Sequence, residues 1–164
     1  MTLVPIICVA GLIGTGQVPD STSKRPGGYL MDFKIVAVGD RGDAVEKPVA
    51  IARSLDQWNV LRTKLGVSDE SYATQLKLHG PLGAMDWGRE QVVVAKSQQQ
   101  RSGGYELSIQ RVTRFTDSWR VDLLLQPPPK DMLTTQAMTT PYVAFRTRRT
   151  TGDPTIVVHL GQPK

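Results

Sequence analysis

The chain is poor in the residues that most often carry chemistry. Its 164 residues include one cysteine, Cys8, and two histidines, His79 and His159. A lone cysteine forms no intramolecular disulfide and no thiolate metal site, so cysteine usage leaves the redox compartment open. No Gly-x-Ser-x-Gly elbow presents a serine nucleophile. No His-Glu-x-x-His and no cysteine pair offers zinc ligands, and no Gly-x-x-x-x-Gly-Lys loop offers a cradle for phosphate. These absences argue against zinc, against nucleotide chemistry and against catalysis in general, and no cofactor and no catalytic residue are expected. His159 alternates with Val158 and Leu160 and is expected to face outward from a strand, while His79 sits in a loop bounded by Gly80-Pro81. Asp117, Asp122 and Asp131 fall at turn or strand positions, where solvation is the expectation.

Strong charge asymmetry is also missing. A formal net charge of +5 over this length is mild, and nucleic-acid binders concentrate their excess in a patch or stripe. Arg146-Thr147-Arg148-Arg149 is the densest basic run and reads as a solvated strand end, so no nucleic-acid partner is expected. The Arg41-Gly42-Asp43 tripeptide is uninformative by itself. No apolar run is long enough for a membrane-spanning helix, which needs about 20 residues. The longest, Leu3 to Ile13, is uncharged and has the length of a signal-peptide h-region, with small residues at Gly14-Thr15-Gly16 where cleavage would fall. No Lys or Arg precedes it, and an ordinary buried N-terminal strand is the alternative. Ile7 stands before Cys8 where a lipobox has a small residue, which argues against lipidation. Residues 1–17 are therefore expected to form a secretory leader, with membrane contact only through that leader if it is retained, and residues 18–28 a polar linker rich in Ser, Thr, Pro and Gly.

What remains, residues 29–162, reads as one β-rich domain. Tyr29 to Val38 predicts a first strand, Gly39 to Asp43 a turn, and Pro48 to Arg53 a second strand. Ser54 is a good N-cap with Gln57 three residues on, and Leu55, Trp58, Leu61 and Leu65 share a helical face that Gly66 ends, so the one strong helix is placed at 54–65. Val67 to Gly88 is loop-like, with a short helical piece near Glu70 to Leu78. Gln91 to Ala95 predicts a buried strand. Gly104 to Val112 and Trp119 to Gln126 alternate around Thr116-Asp117-Ser118 and predict an antiparallel hairpin, ended by Pro127-Pro128-Pro129. Tyr142 to Arg148 and Thr155 to Leu160 predict a second hairpin around Thr151-Gly152-Asp153-Pro154. The fold class is mainly β: an antiparallel sandwich or partly open barrel of six to seven strands with one helix.

Two blocks carry a family resemblance. Arg101-Ser102-Gly103-Gly104-Tyr105 launches an alternating strand, and Gln136-Ala137-Met138-Thr139-Thr140-Pro141-Tyr142 leads into another. In this order, with Asp86-Trp87 and Glu90 to Val94 before them, they resemble the C-terminal domain of the protease complex subunit PrcB family, mainly over residues 86–160. The sequence departs from that pattern at Ser102, at Gln98-Gln99-Gln100 and at Pro127 to Met132, which bears on the loop surface more than on the fold. The resemblance implies a non-enzymatic, extracytoplasmic protein-binding module with a protein partner, and specifically an accessory subunit of an envelope protease complex. A loop-based module of the protease-inhibitor type and a small hydrolase with an unrecognised site are the rival readings.

Arg101, Gly103, Gly104, Tyr105, Gln136, Pro141 and Tyr142 are the candidate interaction residues, because polar, glycine- or proline-punctuated loops on a rigid β scaffold are a common way to build a binding surface. The Gly103-Gly104 turn also has a purely structural reading as a tight strand connection.

The leader generates a first expectation. Cell fractionation with N-terminal sequencing should recover a mature chain beginning between roughly residues 15 and 22. Recovery of the intact chain in the cytoplasm would overturn export.

Overall fold

The computed structural model describes residues 28–67 and 85–162. The expected leader, nearly all of the expected linker, the helical piece near Glu70 to Leu78, and His79 lie outside these residues. In chain order the elements are β1 (Tyr29–Leu30), β2 (Phe33–Gly39), β3 (Val49–Ala52), α1 (Leu55–Lys64), β4 (Glu90–Lys96), β5 (Glu106–Arg114), β6 (Trp119–Gln126), β7 (Tyr142–Arg148) and β8 (Thr155–Leu160). They form two four-stranded sheets. The front sheet has the order β1-β5-β6-β8 and the back sheet β2-β7-β4-β3. The sheets pack face to face as a sandwich and do not close into a barrel.

Alternation decides which side chains meet. Leu107 and Val112 of β5, Trp119, Val121, Leu123 and Leu125 of β6, and Ile156 of β8 face Val93, Ala95, Val143 and Phe145 of β4 and β7, with Val49 at the edge. Phe33 adds an edge-to-face contact on Phe145, the ring centroids 6.1 Å apart. The opposite side chains of the back sheet, Val92, Val94, Tyr142 and Ala144, pack against Trp58 of α1 and Leu65 at its C-cap, together with Val45 and Met85. The back sheet is thus buried on both faces. This explains why Gln91 to Ala95 and Tyr142 to Phe145 are buried without a break.

The helix forms as its ends predict. Ser54 Oγ accepts the Gln57 amide at 3.3 Å, and Gln57 Oε1 accepts the Arg53 amide at 2.7 Å. Gly66 adopts φ +68, its amide donates to the Thr63 carbonyl, and the Val67 amide donates to the Arg62 carbonyl. That is the double bond of a Schellman stop. Leu55, placed on the apolar face by spacing, is exposed in the first turn.

Several expectations are corrected. Tyr29 to Val38 is two strands in different sheets, with Met31-Asp32 carrying the chain across, so the described residues hold eight strands. The predicted β5–β6 hairpin forms, its turn closed by the Phe115 amide on the Ser118 carbonyl at 2.7 Å. The predicted β7–β8 hairpin does not form. β7 already has β2 and β4 on its two edges, so no ladder is left for β8. The chain instead turns through Gly152, at φ +73, and β8 joins the front sheet parallel to β6. Trp119 Nε1 donates to the Gly152 carbonyl at 3.3 Å and fixes that turn.

Asp122 is buried, where solvation was expected. It points to the open face of the front sheet, yet its side chain is only 3% exposed. Arg120 Nε donates to its Oδ2 at 3.1 Å, Arg111 Nε lies 3.6 Å from the same oxygen, and His159 Nε2 lies 3.4 Å from Oδ1. One carboxylate therefore ties β5, β6 and β8 together. His159 is on the outer face, as alternation predicted.

The two buried tryptophans test the layer assignment. Trp58 anchors the helix on the back sheet and Trp119 opens β6 in the core between the sheets. Replacing either with Ala should cost about 3–5 kcal/mol in chemical denaturation. A loss below about 1 kcal/mol would mean that the face is wrongly assigned.

Candidate protein-interaction surface

Two long connections pass between the sheets. The chain from β4 to β5 leaves the back sheet for the front, and the chain from β6 to β7 returns. They meet and bond to each other. The Gln100 amide donates to the Thr139 carbonyl at 2.7 Å, and the Thr139 amide donates back to the Gln100 carbonyl at 3.0 Å. Thr139 Oγ1 donates to the Ser102 carbonyl at 2.9 Å, and the Gly103 amide donates to the Thr135 carbonyl at 2.9 Å. The end of the second loop is held from the other side too: the Thr140 amide donates to the Asp40 carbonyl and its carbonyl accepts the Gly42 amide, both at 2.8 Å.

The two glycines have separate reasons. Gly103 is buried, and a Cβ there would lie 2.5 Å from Thr135 Oγ1. Gly104 adopts φ +82, and a Cβ would lie 3.1 Å from Pro128 and 3.2 Å from Thr134. The Gly-Gly pair therefore lets the first loop run tightly against the second. It joins no pair of hydrogen-bonded strands, because β4 and β5 belong to different sheets.

The structure brings together the two blocks that the sequence singled out, and it sorts their residues. Arg101, Gly104 and Gln136 are exposed. Tyr105 is half-buried and packs against the core between the sheets. Gly103, Pro141 and Tyr142 are buried and shape the loops from beneath, so they are not available as surface contacts. Tyr142 lies in the core behind the back sheet, where its ring fills the space a side chain at Gly39 would take. Burial pushes its phenol above the ordinary value of 10.0, and the Asp40 carboxylate adds to the shift.

Sequence reasoning missed three residues of this surface. Met132, Leu133 and Met138 are exposed on the second loop, Leu133 at 98%. The signal was there: three apolar residues in a segment with no strand alternation, between a triple proline and Pro141. Backbone bonds at Thr135 and Thr139 flank Met138, so this stretch is anchored rather than free.

A two-sheet β-sandwich backed by a helix, with two cross-bonded loops running between its sheets, is the class of protein that these observations define. Residues 91–148, from β4 to the end of β7, match the family model described as PrcB C-terminal. The match contains both the Gly103-Gly104-Tyr105 block and the Gln136 to Tyr142 block and bears out the resemblance, over a shorter span than residues 86–160. No curated protein and no solved structure gives a significant match to the chain.

Tyr142 supplies a pH test. The unfolded phenol ionises near 10 and the folded one higher, so above pH 10 the unfolded state is the first to lose the proton. This contribution is fully present below pH 10 and is lost as pH rises through the folded value. Denaturation midpoints should fall on the alkaline side, and Tyr142→Phe should flatten that part of the decline. An unchanged alkaline profile in the Phe variant would show that Tyr142 is not the group responsible.

Proposed function

We propose that the chain is a non-enzymatic, extracytoplasmic protein-binding module that serves as an accessory subunit of an envelope protease complex. One observation carries the reading. The connection between β6 and β7 covers residues 127–141, long for a loop without secondary structure in a compact domain, and it exposes Met132, Leu133 and Met138 while its backbone is fixed to the neighbouring loop. Loops of that length are usually either functional or disordered linkers, and this one is held by backbone hydrogen bonds. Fixing the backbone before binding lowers the ordering cost of association. Methionine and leucine at the tip supply adaptable apolar contact, and Arg101 and Gln136 supply polar contacts beside them. The match to the PrcB C-terminal model, which spans this loop, supports a protein partner connected with a protease.

The test is quantitative binding to a partner captured from an envelope fraction and identified by mass spectrometry. Leu133→Asp, Arg101→Ala and Gln136→Ala are suitable variants, because all three side chains are exposed and outside the core. With melting unchanged, Leu133→Asp should weaken binding by roughly tenfold or more, and the polar variants by less. If all three bind like wild type, the loops are structural and the interface lies elsewhere. Cleavage of a substrate by the purified chain alone would overturn the non-enzymatic reading.

A further inference from the structure

The four sheet edges are not equally protected. β2 carries Lys34 and an extra residue, Val36, that slips its register between Ile35 and Ala37. β3 is only four residues long and runs straight into the cap of α1. β5 is partly covered by β1 and carries its own extra residue, Gln110, beside Arg111. Short strands, charges and bulges are the usual ways an edge is kept from pairing with another chain. β8 has none of them. Thr155-Ile156-Val157-Val158-His159-Leu160 contains no Lys, Arg, Asp, Glu, Pro or Gly and is rich in β-branched residues. It pairs with β6 on one side, and no strand among the described residues pairs with the other.

We propose that β8 is a self-association edge, on which β8 of a second copy of this chain pairs antiparallel about a two-fold axis at Val158. The register follows from the backbone. The Gly161 amide donates inward to the Leu125 carbonyl. Along a strand the orientation alternates, and in a parallel ladder the amide and carbonyl of one residue point to the same side. Thr155, Val157 and His159 therefore direct their backbone toward β6, and Ile156, Val158 and Leu160 direct theirs outward. Placing Val158 opposite its own copy sets Ile156 opposite Leu160, so each outward amide meets an outward carbonyl. A two-fold at Val157 would instead set Leu160 opposite Pro154, which has no amide to give. The Val158 register also matches faces. Ile156, Val158 and Leu160 all belong to the side of the sheet that packs on the core, and Leu160, 73% exposed in one copy, would lie beside Ile156 of the second. The absence of Lys, Arg, Asp and Glu from the strand leaves no fixed like-charge pair to oppose the contact. The result is a continuous eight-stranded front sheet, formed away from the residues that fix the loops at Gln100 and Thr139.

A contact made by one strand lies at the small end of interfaces, below roughly 1,200 Å² in total, where association is weak and reversible. The experiment uses the full chain in sedimentation equilibrium over a wide concentration range, with residue-resolved amide exchange at both ends of it. The average mass should rise toward twice the monomer. The amides of Ile156, Val158 and Leu160 should exchange about tenfold or more slowly in the concentrated sample, while those of Val157 and His159 are protected in both. Val158→Pro removes one outward amide without touching the ladder to β6, and Leu160→Lys sets a charge against the apolar partner position. Each should weaken association by about tenfold or more, and retained protection at Val157 and His159 shows that β8 still folds. A monomer at every concentration overturns the proposal. So does association that leaves exchange at the three outward amides unchanged, as pairing through another region would, and so do variants that associate like wild type. Protection of the three amides that appears only with a different protein assigns the edge to that protein and also overturns self-pairing.

Discussion

The back sheet has to be covered on both faces, and most of the architecture depends on this. β4 and β7 are apolar on every residue from Val92 to Ala95 and from Tyr142 to Phe145. A strand of that kind is stable only between two layers. The front sheet supplies one and α1 with its C-cap, through Trp58, Leu61 and Leu65, supplies the other. Because β7 sits in the interior with neighbours on both edges, β8 has to leave it and complete the front sheet. Because β4 and β7 are adjacent in the back sheet while β5 and β6 are adjacent in the front, the connection out and the connection back run side by side. The cross-bonded loops follow from this topology. The glycines at 103 and 104 make the close approach possible, but the approach itself is imposed by the strand order.

Local features were legible in the sequence, and non-local ones were not. Ser54, Gln57 and Gly66 act within one turn of the helix they bound, so a reading of neighbours finds them. Trp119 to Gln126 shows its inner face by alternation alone, and the short Thr116-Asp117-Ser118 turn leaves β5 and β6 little choice but to pair. Thr151 to Pro154 looks like an equally good hairpin turn. What decides against it is the occupancy of both β7 edges by strands from residues 33–39 and 90–96, which no local pattern records. The extra residues Val36 and Gln110 escape for a related reason, since a bulge is defined by the partner strand. Asp122 is the clearest case. Alternation rightly puts it on the open face, and that face is solvated in general. Arg111 from β5, Arg120 from β6 and His159 from β8 converge on its carboxylate and cover it. A buried carboxylate needs such partners, because an unpaired one carries a large desolvation cost.

The candidate surface was half legible. The two blocks were found because glycine and proline punctuate them and because they resemble a family pattern in order and spacing. Their mutual bonding was not visible, and it changes what each residue does. Tyr142 reads as an accessible tyrosine next to a proline, yet its position in the back sheet turns it inward behind Gly39. Met132, Leu133 and Met138 read as unremarkable loop residues, yet the anchors at Thr135 and Thr139 hold the backbone on both sides of Met138, and Leu133 lies two residues before the first of them. Exposed apolar side chains on an anchored loop have a different meaning from the same side chains on a mobile one, since little further ordering is required when a partner covers them.

The boundaries of the family match bear on what counts as the folding unit. Residues 91–148 take in β4, both connections, the β5–β6 hairpin and β7. They omit β2 and β3, which complete the ladders on β7 and β4, and α1, which covers the second face of both. They also omit β8, whose His159 belongs to the group around Asp122. A fragment with those limits would leave the outer side chains of the back sheet, including Val92, Val94 and Ala144, without their layer, and would leave one edge open on each of β4, β6 and β7. Its burial would fall well short of what offsets the entropy of ordering the chain. The shared segment is therefore the part of the fold that builds and presents the two loops, and the elements outside it are what make that segment stable in this chain.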